Sequence, residues 1–118
     1  MGIIVKTPEP PYYVVTFTNE LSGKDVEKYQ QLGIEMFKLA ETMPGYLGEE
    51  SVRNAENQGI TLSYWTDRIS ILNWKKQSDH LQAQQLGKDV FYNAYSVRVA
   101  KVEKSYTLED YIKTKATK

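Results

Sequence analysis

The feature that most constrains the fold is a regular switch between two hydrophobic periodicities along the chain. Segments rich in β-branched and aromatic residues alternate with segments whose apolar residues recur every three or four positions. The predicted strands are YYVVTFTNEL (12–21), YLGEESVRNA (46–55), ITLSYW (60–65) and YSVRVAKVEKSY (95–106), and helices are predicted in 22–43 and from Thr66 onward. The order β-α-β-β-α-β predicts an α+β fold, the split βαβ or ferredoxin-like unit, with one antiparallel sheet and both helices on one face.

At 118 residues the chain is predicted to form one domain. Residues 1–11, which contain three prolines in the stretch KTPEPP, are predicted to be an extended lead-in to the first strand. Residues 107–118 are predicted to be a mobile tail. Ser78 or Asp79 is predicted to start a second helical piece after a first helix that ends near Gln77.

Side-chain alternation in the strands separates two faces of the sheet. One set is assigned to the helix-covered face: Ile60, Leu62, Tyr64, Tyr13, Val15, Phe17, Tyr95, Val97 and Val99. The other set is Thr61, Ser63, Trp65, Thr16, Thr18, Glu49, Ser51, Ser96, Arg98 and Ala100. A tryptophan on this second, more polar face has two explanations: a solvated face with one half-buried aromatic ring, or a face that a second copy covers to enclose a ligand cavity.

Composition excludes several classes of protein. Fifteen basic and fifteen acidic residues cancel, so no overall field attracts nucleic acid or an anionic membrane. The absence of cysteine excludes disulfides and thiolate sites, and a single histidine makes a zinc site a poor hypothesis. The first residues do not resemble a signal peptide, and no stretch approaches the roughly 20 apolar residues of a spanning helix. We expect a soluble cytoplasmic protein.

Four segments resemble the antibiotic biosynthesis monooxygenase (ABM) family of the dimeric α+β barrel superfamily. They are MPGYLGEES (43–51), LSYW (62–65), ILNWKKQSDHLQAQQLGK (71–88) and FYNAYSVRVAKVEKSY (91–106). The resemblance spans roughly Tyr12 to Tyr106. It implies a homodimer in which two sheets form one barrel with the helices outside.

The resemblance also implies an activity. Some members of the family oxidise phenolic polycycles to quinones with O₂ as co-substrate and with no metal, flavin or nicotinamide, so no cofactor is expected here. Another branch binds and degrades haem. At the position of that branch's ligand histidine this chain has Gln84, which is not an iron ligand, so haem degradation is not expected.

Three residues are candidates for catalysis: Trp65, His80 and Arg98. Trp65 matches a position that the family's quinone formers use in their site, and it would stack on a flat substrate. Arg98 would hold an anionic oxygen, and His80 would act as a general base, because an ordinary histidine titrates near neutrality. The structural alternatives are a packed Trp65, an ion pair from Arg98 to an acid such as Glu49, and a His80 bonded to backbone or to a tyrosine.

Four residues are candidates for substrate binding: Ser63, Trp74, Tyr92 and Tyr95. Packing of the helix on the sheet is the alternative for Trp74, and a structural role is the alternative for the two tyrosines. Two functions therefore stay open. One is an ABM-type monooxygenase acting on an aromatic or quinone-like small molecule; the other is a non-catalytic homodimer that binds a small hydrophobic ligand or another protein.

Overall fold

A computed structural model of the chain describes residues 4–84 and 90–116. The elements follow the predicted order, with one more helix at the end. They are β1 (Tyr12–Leu21), α1 (Val26–Thr42), β2 (Tyr46–Arg53), β3 (Gln58–Trp65), α2 (Arg68–Gln84), β4 (Tyr92–Val102) and α3 (Leu108–Ala116). The four strands form one antiparallel sheet in the order β2-β3-β1-β4. The prediction of a ferredoxin-like α+β fold is confirmed.

The second helix begins at a side-chain cap. The Asp67 carboxylate accepts a hydrogen bond from the Ser70 backbone N–H at 2.8 Å, which satisfies one of the unpaired donors of the first turn. Hydrogen bonds from Ser70 lower the pKa of Asp67. The break predicted at Ser78 is wrong, because α2 runs unbroken from Arg68 to Gln84. The Ser78 hydroxyl donates to the Lys75 carbonyl at 3.1 Å, within the helix, instead of capping a new one. The rest of the predicted piece, at 85–88, lies outside the described residues.

The turn between α1 and β2 depends on Gly45. Its φ of +84° lies in the left-handed region, and a β-carbon built on it would overlap the Ser70 side chain. The Gly45 carbonyl accepts a hydrogen bond from the Thr66 backbone N–H at 2.9 Å. The turn therefore joins the start of β2 to the start of α2, which a larger side chain would prevent.

The register of the sheet corrects the predicted faces. Tyr13 pairs with Trp65, and Val15 pairs with Ser63. Trp65 therefore shares a face with the apolar residues of β1, and its ring lies 5.8 Å from that of Trp74 on α2. The assignment of Ile60, Leu62 and Tyr64 to the helix-covered face is wrong, because they lie on the opposite face of the sheet, which we call the open face. The assignment of a second set to the open face is wrong as well, since its members lie on the helix-covered face: Thr61, Ser63, Trp65, Glu49 and Ser51. The physical reason is that a shift of one residue in register moves every side chain of a strand to the other face.

The helices α1 and α2 cover only part of their face. Most buried apolar residues of this layer, Leu32, Ala40, Trp65 and Ile71, belong to the helices or to β3. A further buried ring, Phe91, lies just before β4 and packs against Tyr29 of α1 at 5.6 Å. On β4, an edge strand of the sheet, Val97 and Val99 lie on the same face but remain 53% and 51% exposed. The helix layer is therefore off-centre, and the β4 side of the face is open.

Both ends of the chain hold defined structure. The Val5 backbone N–H donates to a Glu50 carboxylate oxygen at 3.0 Å, which fixes the lead-in against the open face; residues 1–3 lie outside the described residues. At the other end, where a mobile tail is predicted, the structure has α3. Thr107 and Asp110 cap this helix reciprocally, each side chain accepting from the other's backbone N–H at 3.1 and 2.9 Å.

Candidate functional site

Trp65 and two other predicted site residues form one packed cluster. Trp65 is 0% exposed, and its indole N–H donates to the Ser63 hydroxyl at 2.9 Å. Its ring lies 5.3 Å from the Tyr46 ring on one side and 5.8 Å from the Trp74 ring on another. The structure therefore places Trp65, Ser63 and Trp74 together between sheet and helices, where Trp65 supports a wall rather than presenting a free ring.

Arg98 does not join this cluster. It pairs with Thr16 on β1, and this row of side chains points to the face opposite Trp65. His80 lies on α2 with an exposed side chain. A single site that contains Trp65 and Arg98 of one protomer is excluded, because the sheet separates them. The catalytic roles proposed for the three residues stay predictions.

Tyr92 and Tyr95 lie together at the far end of the sheet. Their ring centroids are 5.9 Å apart, and Phe17 contacts both, at 5.4 and 5.7 Å. Burial and the neighbouring Tyr29 raise the pKa of Tyr92 well above its ordinary value. Tyr95 also lines an open groove of about 670 Å³ at this end, between the β2–β3 turn and the start of β4. The predicted substrate-binding residues thus form two groups rather than one.

The open part of the helix-covered face forms an apolar recess. Its floor consists of β1 and β4 side chains, and one side of α2 forms its wall. The residues that form this helix-side recess are Tyr13, Val15, Phe17, Val97, Val99, Arg68 and Leu72. Leu72 is 58% exposed although it lies one helical turn after Arg68, on the side of α2 that faces β1. A flat apolar ligand is the kind of molecule that such a surface binds.

Arg68 is the residue of this site that sequence reasoning missed. Its guanidinium carbon lies 5.5 Å from the centroid of the Tyr13 ring, in a cation–π contact that fixes the first turn of α2 over β1. The arginine therefore brings a positive charge to the rim of an aromatic floor. The signal in the sequence was an arginine one residue after the helix cap, but the partner on β1 depends on register.

A second chemical feature lies on the other side of Trp65. The Tyr46 hydroxyl donates to a Glu49 carboxylate oxygen at 3.3 Å. Burial raises the pKa of Glu49, and the negative charge of Glu41 raises it further, whereas the hydrogen bond from Tyr46 partly offsets this. Burial and the charge of Glu49 also raise the pKa of Tyr46. A half-buried carboxyl with a raised pKa suits proton transfer, but Trp65 and Trp74 stand between it and the recess.

Within residues 4–84 and 90–116, no three His, Cys, Asp or Glu side chains lie close enough together to hold a metal ion. In the same part of the chain, no helix has the length and apolar character that crossing a membrane requires.

Comparison with solved structures defines the class of fold. SnoaB of Streptomyces nogalater, a cofactor-independent oxygenase, superposes with a TM-score of 0.62 at 12% identity, over 84% of this chain and 98% of SnoaB. A Nitrosomonas europaea protein described as a candidate antibiotic biosynthesis monooxygenase superposes with a TM-score of 0.65 at 9% identity, over 83% of this chain and 95% of its own. The chain therefore has the fold of the antibiotic biosynthesis monooxygenases, although no family model matches its sequence.

Sequence comparison identifies the protein family of the chain. YqjZ of Bacillus subtilis, an uncharacterised protein, is 42% identical over 110 residues, which cover 93% of this chain and 96% of YqjZ. The chain belongs to the same protein family as YqjZ.

Proposed function

We propose that this protein is a homodimeric monooxygenase of the ABM type, which oxidises a flat phenolic molecule with O₂ and holds no metal, flavin or nicotinamide. The observation that carries the proposal is the helix-side recess, an exposed apolar surface with aromatic residues in its floor and the Arg68 guanidinium at its rim. The likeness of the fold to that of SnoaB supports the same conclusion.

The chemistry needs little from the protein. A phenol bound in the recess loses its proton to water, and Arg68 stabilises the resulting phenolate because a nearby cation favours the charged form. The electron-rich phenolate reduces O₂ by one electron, and the resulting phenoxyl radical and superoxide combine at the ring C–H carbon opposite the phenolate oxygen. The bound peroxide takes up the proton that the phenol released. The resulting C–OOH group eliminates water to leave C=O. One oxygen atom enters the quinone, the other leaves as water, and no further reductant is required.

The homodimer is proposed from the face opposite the recess. On this open face, Ile60 is 44% and Val52 is 58% exposed, although a strand interior normally buries such residues. Arg98 lies on the same face, so its predicted role belongs to the barrel interior between two copies. We expect the contact to bury more than about 1,200 Å² in total, the range of specific interfaces.

The second candidate function is ligand binding without catalysis. The observation that favours it is that the described residues that form the recess include no carboxylate and no imidazole, so none of them can act as a general base on a bound phenol. In this case Arg68 would bind an acidic aromatic molecule and release it unchanged.

Oxygen uptake with a hydroxylated anthracene-type substrate distinguishes the two functions. We expect the parent to consume one O₂ per quinone formed, and Arg68→Gln to lose at least about tenfold in kcat/KM, equivalent to about 1.4 kcal/mol of transition-state stabilisation. Lys38→Gln, which removes an exposed cation from α1, is the control for charge alone. Quenching of tryptophan fluorescence by the ligand with no oxygen uptake would support the binding function. Equal activity of parent and Arg68→Gln would contradict the proposed site.

A further inference from the structure

The last described helix has an apolar side that no residue within 4–84 and 90–116 covers. Leu108, Tyr111 and Ile112 occur at positions i, i+3 and i+4 of α3 and therefore share one side of the helix. They are between 54% and 72% exposed. The opposite side carries the Glu109–Lys113 ion pair at 3.4 Å. The helix is thus amphipathic and capped, yet its apolar stripe lacks the surface that such a stripe normally packs against.

A row of β4 residues that begins beside the recess and continues into its floor is also left uncovered by the described residues. Tyr95, Val97 and Val99 are between 47% and 53% exposed. Since residues two apart in a strand point the same way, the row spans about 13 Å from the first to the last residue. The nine residues of α3 make a helix of about 13.5 Å. The stripe from Leu108 to Ile112 takes up about 6 Å of that helix, so it fits within the row and shares its apolar chemistry.

In the single chain these two surfaces do not cover each other. The radius of gyration is 16.2 Å, whereas a compact domain of this length has about 13.5 Å, and the longest of the three extents is 55 Å against 33 and 23 Å. Every described side chain of α3 is exposed, so the helix stands off its own sheet as an arm. Each copy of the chain carries one stripe and one row, so a two-fold pair of chains satisfies both surfaces of both copies by exchange.

We propose that the α3 helix of a second copy docks over the helix-side recess, so that Leu108, Tyr111 and Ile112 of one protomer close the site of its partner. This inference rests on the homodimer of the proposed function and adds a site that is incomplete in one chain. The arm would lie between β4 and the Arg68–Leu72 side of α2, and it would cover the apolar part of a bound ligand and exclude water from it.

The absence of cysteine from the chain permits a direct test by disulfide formation. Two single variants, Val97→Cys and Ile112→Cys, are purified under reducing conditions, mixed so that chains exchange, and then oxidised. We expect the mixture to give a band of twice the chain mass on a non-reducing gel. Two control mixtures replace one partner each: Lys113→Cys tests the polar side of α3, and Ile34→Cys tests the exposed apolar side of α1. We expect both to give far less of the band.

Each other result would overturn the proposal. A disulfide that forms only within one chain, in the Val97→Cys, Ile112→Cys double variant, would show that the arm folds back on its own sheet. A stronger band with Ile34→Cys would place the arm on α1, and equal bands for Lys113→Cys and Ile112→Cys would show a chance collision. Light scattering on the parent separates these failures from failure of the proposed function. A dimer without the expected disulfide refutes the arm alone, whereas a 13.6 kDa monomer removes the homodimer as well.

Discussion

The full burial of Trp65 leads to a quantitative prediction about the two tryptophans. Trp65→Phe removes roughly 40 Å² of buried apolar area, or about 1 kcal/mol at 25 cal/mol per Å². It also removes the hydrogen bond from the indole N–H to Ser63, which contributes about 1 kcal/mol. We expect the free energy of unfolding to fall by about 2 kcal/mol. Trp74 is half-buried, so Trp74→Phe should cost less than about 1 kcal/mol.

Urea unfolding, followed by circular dichroism, measures this difference. With an m-value of about 1.3 kcal/mol/M, a loss of 2 kcal/mol lowers the midpoint by about 1.5 M. Each variant keeps one tryptophan, so fluorescence reports independently from Trp74 or Trp65. The chain concentration must be equal throughout, since the stability of a dimer depends on it. An equal or larger loss for Trp74→Phe would refute the packing assigned to Trp65.

Three further predictions concern pH, backbone and assembly. The raised pKa of Glu49 means that the folded state keeps this proton to a higher pH than the unfolded state does, so the free energy of unfolding should fall as pH rises above the ordinary glutamate range. Glu49→Gln should remove that loss, so the variant should be more stable than the parent at neutral pH but not near pH 4. Gly33→Ala in exposed α1 should raise the free energy of unfolding by up to about 1 kcal/mol, whereas Gly45→Ala should lower it by more than about 2 kcal/mol, both read from urea midpoints. On the open face, Ile60→Glu should convert the dimer to monomer in light scattering, while Ile34→Glu, on exposed α1, should leave it intact. A dimer that persists in Ile60→Glu would place the interface elsewhere.

The order of the elements could be predicted because helices and strands differ in the period at which their apolar residues recur. The residue types at the Asp67 cap and the Gly45 turn also indicated where elements begin and end. The pairing between strands could not. Along β3, both sets of alternate residues contain large side chains, Tyr64 in one and Trp65 in the other. Alternation separates the two sets but does not say which one the helices cover. A shift of register between Tyr46 and Gly48 breaks the alternation in β2 as well.

The candidate site was less predictable than the fold, since it depends on distances across the sheet. Arg98 and Trp65 look alike as strand residues near the end of a motif, yet they point in opposite directions. Arg68 belongs to the site only because it contacts Tyr13, which lies 55 positions earlier in the chain. The exposed stripe of α3 is visible in the sequence as Leu108, Tyr111 and Ile112, but a short basic tail gave no reason to expect a helix there.

The off-centre helix layer separates the residues that keep the protein folded from those that would choose a ligand. Leu32, Ala40, Trp65 and Ile71 belong to the core on the helices and β3, whereas the exposed floor lies on β4. Substitution at Val97 or Val99 leaves that core untouched and therefore costs little stability. Substitutions along that floor can therefore accumulate in a lineage without unfolding the protein, and this surface can change its chemistry while the backbone keeps its course.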